Sequence, residues 1–399
     1  MAPATFHPFL RLPPELRDII YSFVLAGVAD IDVDDDPEMT EHIDSHYWAV
    51  ALFAVSKQVH DESMRIFHTV NTFITFETPW DDAHSEFRLK DHVQIIETAF
   101  GSTRLPPVFQ KVHLHAKIDS QRVGTDQYSR GRTIVLTFDD LERVCKLWMY
   151  TDINRNCALN GTLRLTLTVN NPVGPDPPPL ALQKRLLEPF GYIKNLRALE
   201  VNGMQHEEAT MSMKALMDVP LEPAEDRLAA TTQLKDEGNA ALKTDSRLAI
   251  KIYEKAFEKL HIICEGRRRH EWGDIWFDRT MKYGEFEGQN GLKIRTQLRT
   301  RLVANVMKAY LDMGEFEETI FWGKRSHNII NGHFGPHHGP IPSFPAAPQL
   351  GKIYYRLGVA LKAIGETSEA RHYLSIALSF LPEDQTIRQL LSTVQLTLG

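Results

Sequence analysis

The side chains in this 399-residue chain best placed for recognition chemistry are cations and amides. Lys235 and Asn239 stand four residues apart, as do Lys352 and Arg356, and Asn305 lies five residues before Tyr310. Residues at i and i+4 of a helix project from one face. Any one of these five would read as an ordinary solvated surface residue, so their meaning depends on whether the fold brings them together. Other candidates for chemistry are weaker. His333, His337 and His338 lie in a Gly/Pro-rich stretch at a spacing unlike a helix-borne metal site and read as solvated loop residues. His113 and His115 alternate on a predicted strand and read as a solvent-facing pair. Cys145, Cys157 and Cys264 are odd in number, lack metal-ligand spacing and read as free thiols of a reducing compartment. Neither a phosphate-binding glycine loop nor a nucleophile elbow is present. No catalytic residue, metal site or cofactor is expected.

The elements that would carry the five residues repeat. Tyr354, Leu357, Gly358, Leu361, Gly365, Ala370, Leu374, Ala377 and Pro382 resemble the roughly 34-residue tetratricopeptide helix-turn-helix pattern. Gly238, Ala249, Tyr253 and Ala256 match it again with one residue fewer in the turn. A third copy keeps Tyr310, Gly314 and Phe316 but carries Thr319, Gly323 and Ser326 at its small and bulky positions. The expected repeats are about 231–264, 300–333 and 351–384, with a capping helix over 384–398. From Ala229 the chain is expected to be helical except for a loop at 327–349, and the run Arg267–Arg269 reads as a hydrated inter-repeat segment. First helices of successive repeats line a concave groove, which would collect Lys235, Asn239, Asn305, Lys352 and Arg356 on one surface.

That set resembles the dicarboxylate clamp of co-chaperone tetratricopeptide domains. The resemblance implies that two lysines, two asparagines and an arginine grip the C-terminal aspartate of cytosolic heat-shock chaperones ending in Glu-Glu-Val-Asp. Cationic donors supply charge-assisted hydrogen bonds to such a chain end, and the amides add direction without charge.

The N-terminal half has another pattern. Leu16, Ile19, Ile20, Phe23 and Val24 recur at helical spacing behind Pro13 and Pro14. A second helix is expected over about 47–67, and an acidic loop over 30–41. Strands are expected at 72–77, 111–118, 132–138, 162–169 and 196–201, and helices at about 87–99, 139–149 and 180–190. The segment FLRLPPELRDIIYSFVL (9–25) resembles the first helix of an F-box. The segments 54–76 and 186–203 resemble F-box-like proteins of filamentous fungi. Carried over, Leu12, Pro13, Leu16, Ile19 and Ile20 would dock a Skp-type ubiquitin-ligase adaptor.

The fold class expected is multidomain, α plus α/β. It comprises an F-box-like segment (1–70), a mixed α/β region (71–205), a linker (206–228) and an all-α tetratricopeptide superhelix (229–399). The chain has 45 Lys and Arg against 52 Asp and Glu, a net charge of −7, which lacks the basic footprint of a general nucleic-acid binder. No secretory leader or long apolar run is evident, so no membrane partner is expected, and the cytoplasm, with the nucleus as a further location, is the expected compartment. Two interaction readings follow: an adaptor linking chaperone tails to a ubiquitin ligase, or an F-box receptor whose repeats bind a client directly. An enzyme built on the middle region is a distant third.

Overall fold

The structure is a computed structural model that describes residues 9–26, 50–91, 93–101, 103–120, 131–334 and 344–394. The chain divides into two compact units, Met1–Leu221 and Glu222–Gly399.

In the first unit α1 (Pro14–Leu25) and α2 (Lys57–Val70) precede a sheet. The remaining elements are β1 (Phe73–Thr78), α3 (Ala83–Asp91), β2 (Ile95–Phe100), β3 (Leu114–Ser120), β4 (Arg132–Thr137), α4 (Leu141–Ile153), β5 (Leu163–Val169), α5 (Leu180–Leu187), β6 (Ala198–Gly203) and α6 (Glu207–Asp218). The six strands run in the order β2-β4-β1-β3-β5-β6. The pairs β1–β3 and β5–β6 are parallel and the others antiparallel. Strand alternation sends successive side chains to opposite faces. Ile74, Phe76, Leu114, Ala116, Ile134 and Leu136 therefore join Val144, Trp148, Leu186 and Met213 of α4–α6 in one core. Phe73 and Val135 point the other way, toward Tyr21, Leu25, Val59 and Phe67 of α1 and α2.

Several expectations change here. Residues 87–99 hold the end of α3 and the strand β2, whose half-buried side chains give no clear alternation. The helix expected over 47–67 is broken: a 3-10 helix, Val50–Ala54, precedes α2, which Ser56 starts as an N-cap whose hydroxyl accepts from the Val59 amide at 3.2 Å. Residues 206–228 include α6, whose Ala209 and Met213 lie in the first core. His113 does not face solvent: it is buried, and its Nδ1 accepts from the Phe73 amide at 3.3 Å. The loop 30–41 lies outside the described residues.

The second unit pairs α7 (Ala224–Ala241) with α8 (Ser246–Lys259), α10 (Gly291–Met313) with α11 (Phe316–Phe334), and α12 (Ala347–Ala363) with α13 (Thr367–Phe380). Helix α14 (Gln385–Thr393) follows; Leu398 of the expected cap lies outside the described residues. The short turns 242–245, 314–315 and 364–366 make each pair an antiparallel hairpin. Gly314, at φ 76°, ends α10 in a left-handed conformation that costs a glycine little. One continuous apolar core runs from Ala224 to Val394. Gly323, a departure from the repeat pattern, lies where a Cβ would come within 3.0 Å of Leu357 and Met307. It keeps its helix close to α10 and α12, so the irregular second repeat still stacks.

The stretch between α8 and α10 is not uniformly helical. It forms the hairpin β7 (Ile262–Glu265) and β8 (Arg268–Glu271), then the single turn α9 (Asp274–Phe277). Nor is the arginine run merely hydrated, since the Arg269 guanidinium lies 4.2 Å from the Trp322 ring centroid. The loop expected at 327–349 is shorter, with α11 reaching Phe334 and α12 starting at Ala347. His333 falls within α11, whereas His337 and His338 lie outside the described residues.

Candidate peptide-carboxylate site

The first helices of the hairpins, α7, α10 and α12, carry the five predicted residues, and α10 packs on both α7 and α12. Asn239 and Asn305 meet directly: the Asn305 Nδ2 donates to Asn239 Oδ1 at 2.6 Å across 66 positions of sequence. The same oxygen accepts from the Tyr253 hydroxyl of α8 at 2.9 Å. From α12, the Arg356 Nη1 donates to the backbone carbonyl of Ala304, the residue before Asn305. Three residues from three hairpins are thus gathered into one polar patch.

Arg356 is partly buried, and its only protein acceptor among the described residues is that carbonyl. Burial pushes its pKa down to about 10, against the weaker pull of Asp312, Tyr355 and Tyr253. Asp312 is occupied elsewhere, with both carboxylate oxygens 2.5–2.6 Å from Lys308 Nζ. Burial likewise pushes the Tyr253 phenol up to about 12, while Arg356 and Asn305 oppose it.

The two lysines are placed differently. Lys352 is exposed one turn before Arg356 and has no ion pair among the described residues. Lys235 lies one turn before Asn239 and is paired with its neighbour Asp236 at 2.9 Å. The structure therefore joins Asn239, Asn305 and Arg356, and leaves Lys235 and Lys352 on the same helices without a hydrogen bond to them. An anion entering here would meet amide donors, a desolvated guanidinium and Lys352.

Sequence reasoning missed Tyr253, which it read as a packing position. A tyrosine rather than a phenylalanine at such a site buries a hydroxyl that needs a partner, and that was the available signal. The Ala304 carbonyl carries no signal in the sequence.

The other predicted set lies on α1. Leu16, Ile19 and Ile20 are exposed, with Phe23 and Val24; Phe23 is 82% exposed. Pro13 is exposed and Leu12 partly buried. The face that α1 buries is instead Arg17, Tyr21 and Leu25. Arg17 lies against Glu62 of α2, Nε at 2.9 Å and Nη2 at 2.5 Å, and also donates to the Leu12 carbonyl at 2.5 Å. Glu62 is held down to about 2 by the Arg17 guanidinium.

Among the described residues no group of three or more His, Cys, Asp or Glu is placed to hold a metal ion, and no helix is long and apolar enough to cross a membrane.

No family model matches the chain, and no curated protein does either. Among solved structures, it is similar to the C-terminal TPR-containing domain of an FK506-binding protein from Plasmodium falciparum. The identity is 18%, the match covers 43% of this chain and 91% of that one, and the TM-score is 0.29. The tetratricopeptide-like character of the C-terminal unit rests on its own three stacked hairpins.

Proposed function

We propose that the protein is a non-enzymatic interaction adaptor whose C-terminal groove binds acidic chain ends, in particular the Glu-Glu-Val-Asp tails of cytosolic heat-shock chaperones. The observation that carries this reading is Arg356, partly buried with one backbone carbonyl and no carboxylate partner among the described residues, close to the joined amides of Asn239 and Asn305. A desolvated guanidinium is costly until an anion pairs with it. A terminal aspartate brings two carboxylates, one for the arginine and amides and one for Lys352 or Lys235. The reading places the protein in the cytosol, where those tails are found. The test is a titration of the full chain with a labelled peptide ending in Glu-Glu-Val-Asp, beside the same peptide as its C-terminal amide. Tight binding of the acid and at least tenfold weaker binding of the amide support it.

The exposed apolar stripe on α1 favours a second contact in the N-terminal unit, a Skp-type adaptor held by Leu12, Pro13, Leu16, Ile19 and Ile20. Together the two contacts would deliver chaperone-held clients to ubiquitin ligation; without the first, the repeats would bind a client directly. Co-purification with the adaptor should be lost in Leu16→Asp, whose side chain is already half in water, with the unfolding midpoint unchanged. A folded wild-type protein that never retains the adaptor removes the ligase link.

A further inference from the structure

We propose that His68 and His113 form an acid-sensitive latch: a proton on either ring favours release of α1 and α2 together from the sheet, while the sheet and α4–α6 stay folded. The inference concerns the N-terminal unit alone and is independent of the peptide reading.

The geometry keeps both rings neutral. His113 is 5% exposed, and its Nδ1 accepts from the Phe73 amide at 3.3 Å. A proton on that nitrogen would set one N–H against another. It would do so where β1 and β3 begin to pair, since the Phe73 carbonyl accepts from the His113 amide at 3.0 Å. His68, in the last turn of α2, is 4% exposed, and its Nδ1 has no hydrogen-bond partner among the described residues. A proton there would be buried without an acceptor. The titratable groups acting on the pair are Lys111, which repels a charge on His68, and His68, which repels one on His113. The backbone at Val108 and at His68 offsets burial only in part, and no carboxylate among the described residues acts on either ring. Burial lowers both to about 4. The released form therefore binds protons more tightly, and a falling pH favours release.

The cost of a charge falls on one face of the sheet. The His68 ring stands edge-on to Phe73 with 5.9 Å between centroids, and Phe67 lies 4.9 Å from the same phenylalanine. Phe67 and Phe73 join Tyr21, Leu25 and Val59 in the core between the helices and the sheet. The larger core on the opposite face is built from residues such as Ile74, Leu114, Val144 and Met213, and α1 and α2 contribute nothing to it. The two helices would leave as one piece. Arg17 with Glu62, Arg65 with Asp18 at 2.6 Å, and the Asn71 amide on the Leu25 carbonyl at 2.8 Å tie α1 to α2 and its cap, not to the strands.

Hydrogen exchange of the full chain at pH 7 and pH 5, corrected for intrinsic rates, tests this. Between the two we expect protection of the α1 and α2 amides to fall by about tenfold or more, and that of α4 and β5 to change by less than about twofold. His113→Asn keeps an acceptor for the Phe73 amide and cannot take up the proton, and His68→Leu fills similar space without a titratable group. Each alone should shrink the fall in α1 and α2, and the double variant should abolish it. A fall shared equally by α4 and β5 overturns the proposal, because acid then unfolds the unit as a whole. Unchanged protection of α1 and α2 in the wild type overturns it as well, and so does a fall that the double variant retains. Should the double variant not fold, the single variants decide, and an undiminished fall in both overturns the proposal.

Discussion

Arg17 in the N-terminal unit and Arg356 in the C-terminal unit both withdraw from solvent, yet they are held in opposite ways. Arg17 has a two-pronged carboxylate partner in Glu62 and a backbone carbonyl besides. Arg295, deeper in the second unit, follows the same plan: it donates to the Leu260 and Trp272 carbonyls at 2.9 and 2.8 Å and to the Asp274 carboxylate. Among the described residues Arg356 has one carbonyl and no carboxylate. The first two are pins that join helices and inserts. The third carries charge and hydrogen-bonding capacity that the fold leaves unused. The contrast separates a buried cation that serves stability from one that serves binding. On α1 the same logic is inverted: the polar pin lies inside and the apolar stripe faces out, so that recognition there would be apolar.

The largest consequence concerns the pins. Arg295→Met removes the guanidinium that donates to the Leu260 and Trp272 carbonyls and pairs with Asp274, and should cost the C-terminal unit about 3–5 kcal/mol, read as a fall in the urea midpoint of the full chain. A loss below about 1 kcal/mol would erase the distinction between pin and binding residue.

Next comes acid sensitivity in the N-terminal unit. Burial lowers His68 and His113 to about 4; the charge of Lys111 adds to the cost of charging His68, and that of His68 to the cost of charging His113. Their unfolded value lies near 6.5. Between those values the unfolded chain binds more protons than the folded one, so stability rises with pH. Full stability is present above about pH 6.5 and is lost as the pH falls toward 4, by about 3 kcal/mol per histidine at the limit. Urea midpoints at pH 7 and pH 5 should differ in the wild type and differ less in His68→Leu, where only the His113 contribution remains. No pH dependence in the wild type would contradict the buried neutral pair.

The smallest effect is the most diagnostic. Arg356→Met should weaken binding of the acidic peptide by about 1.5–3 kcal/mol, roughly ten- to a hundredfold. It should leave the unliganded stability unchanged or raise it by up to about 1 kcal/mol, because the guanidinium has no ion pair to lose. A destabilisation matching that of Arg295→Met would make Arg356 a third pin.

Much of this was legible in the sequence because the signals are local. Strands β1, β3, β4, β5 and β6 announce themselves by their alternation, and the hairpin turns by Gly314 and Gly365. Each cation of the candidate site lies four residues from its helix-mate, so the pairs Lys235/Asn239 and Lys352/Arg356 could be read from spacing alone. Three features could not be. The edge strand β2 has side chains that are mostly half-buried and lack alternation. The β7–β8 hairpin turns at Gly266 within a charged run that gives no strand signal. The buried face of α1 depends on Glu62, 45 residues away from Arg17, and until that partner is placed, Leu16 and Ile20 look like the better core. Tyr253 was hidden for the same reason, since its role exists only once α8 lies across α7.

The central claim is that Arg356, Asn239 and Asn305 bind a carboxylate that none of the described residues supplies. Isothermal titration of the 399-residue chain with one peptide ending in Glu-Glu-Val-Asp, as free acid and as C-terminal amide, tests it most directly. The account predicts saturable binding of the acid that weakens with added salt, and at least a tenfold loss for the amide. Equal affinity for the two forms would contradict it.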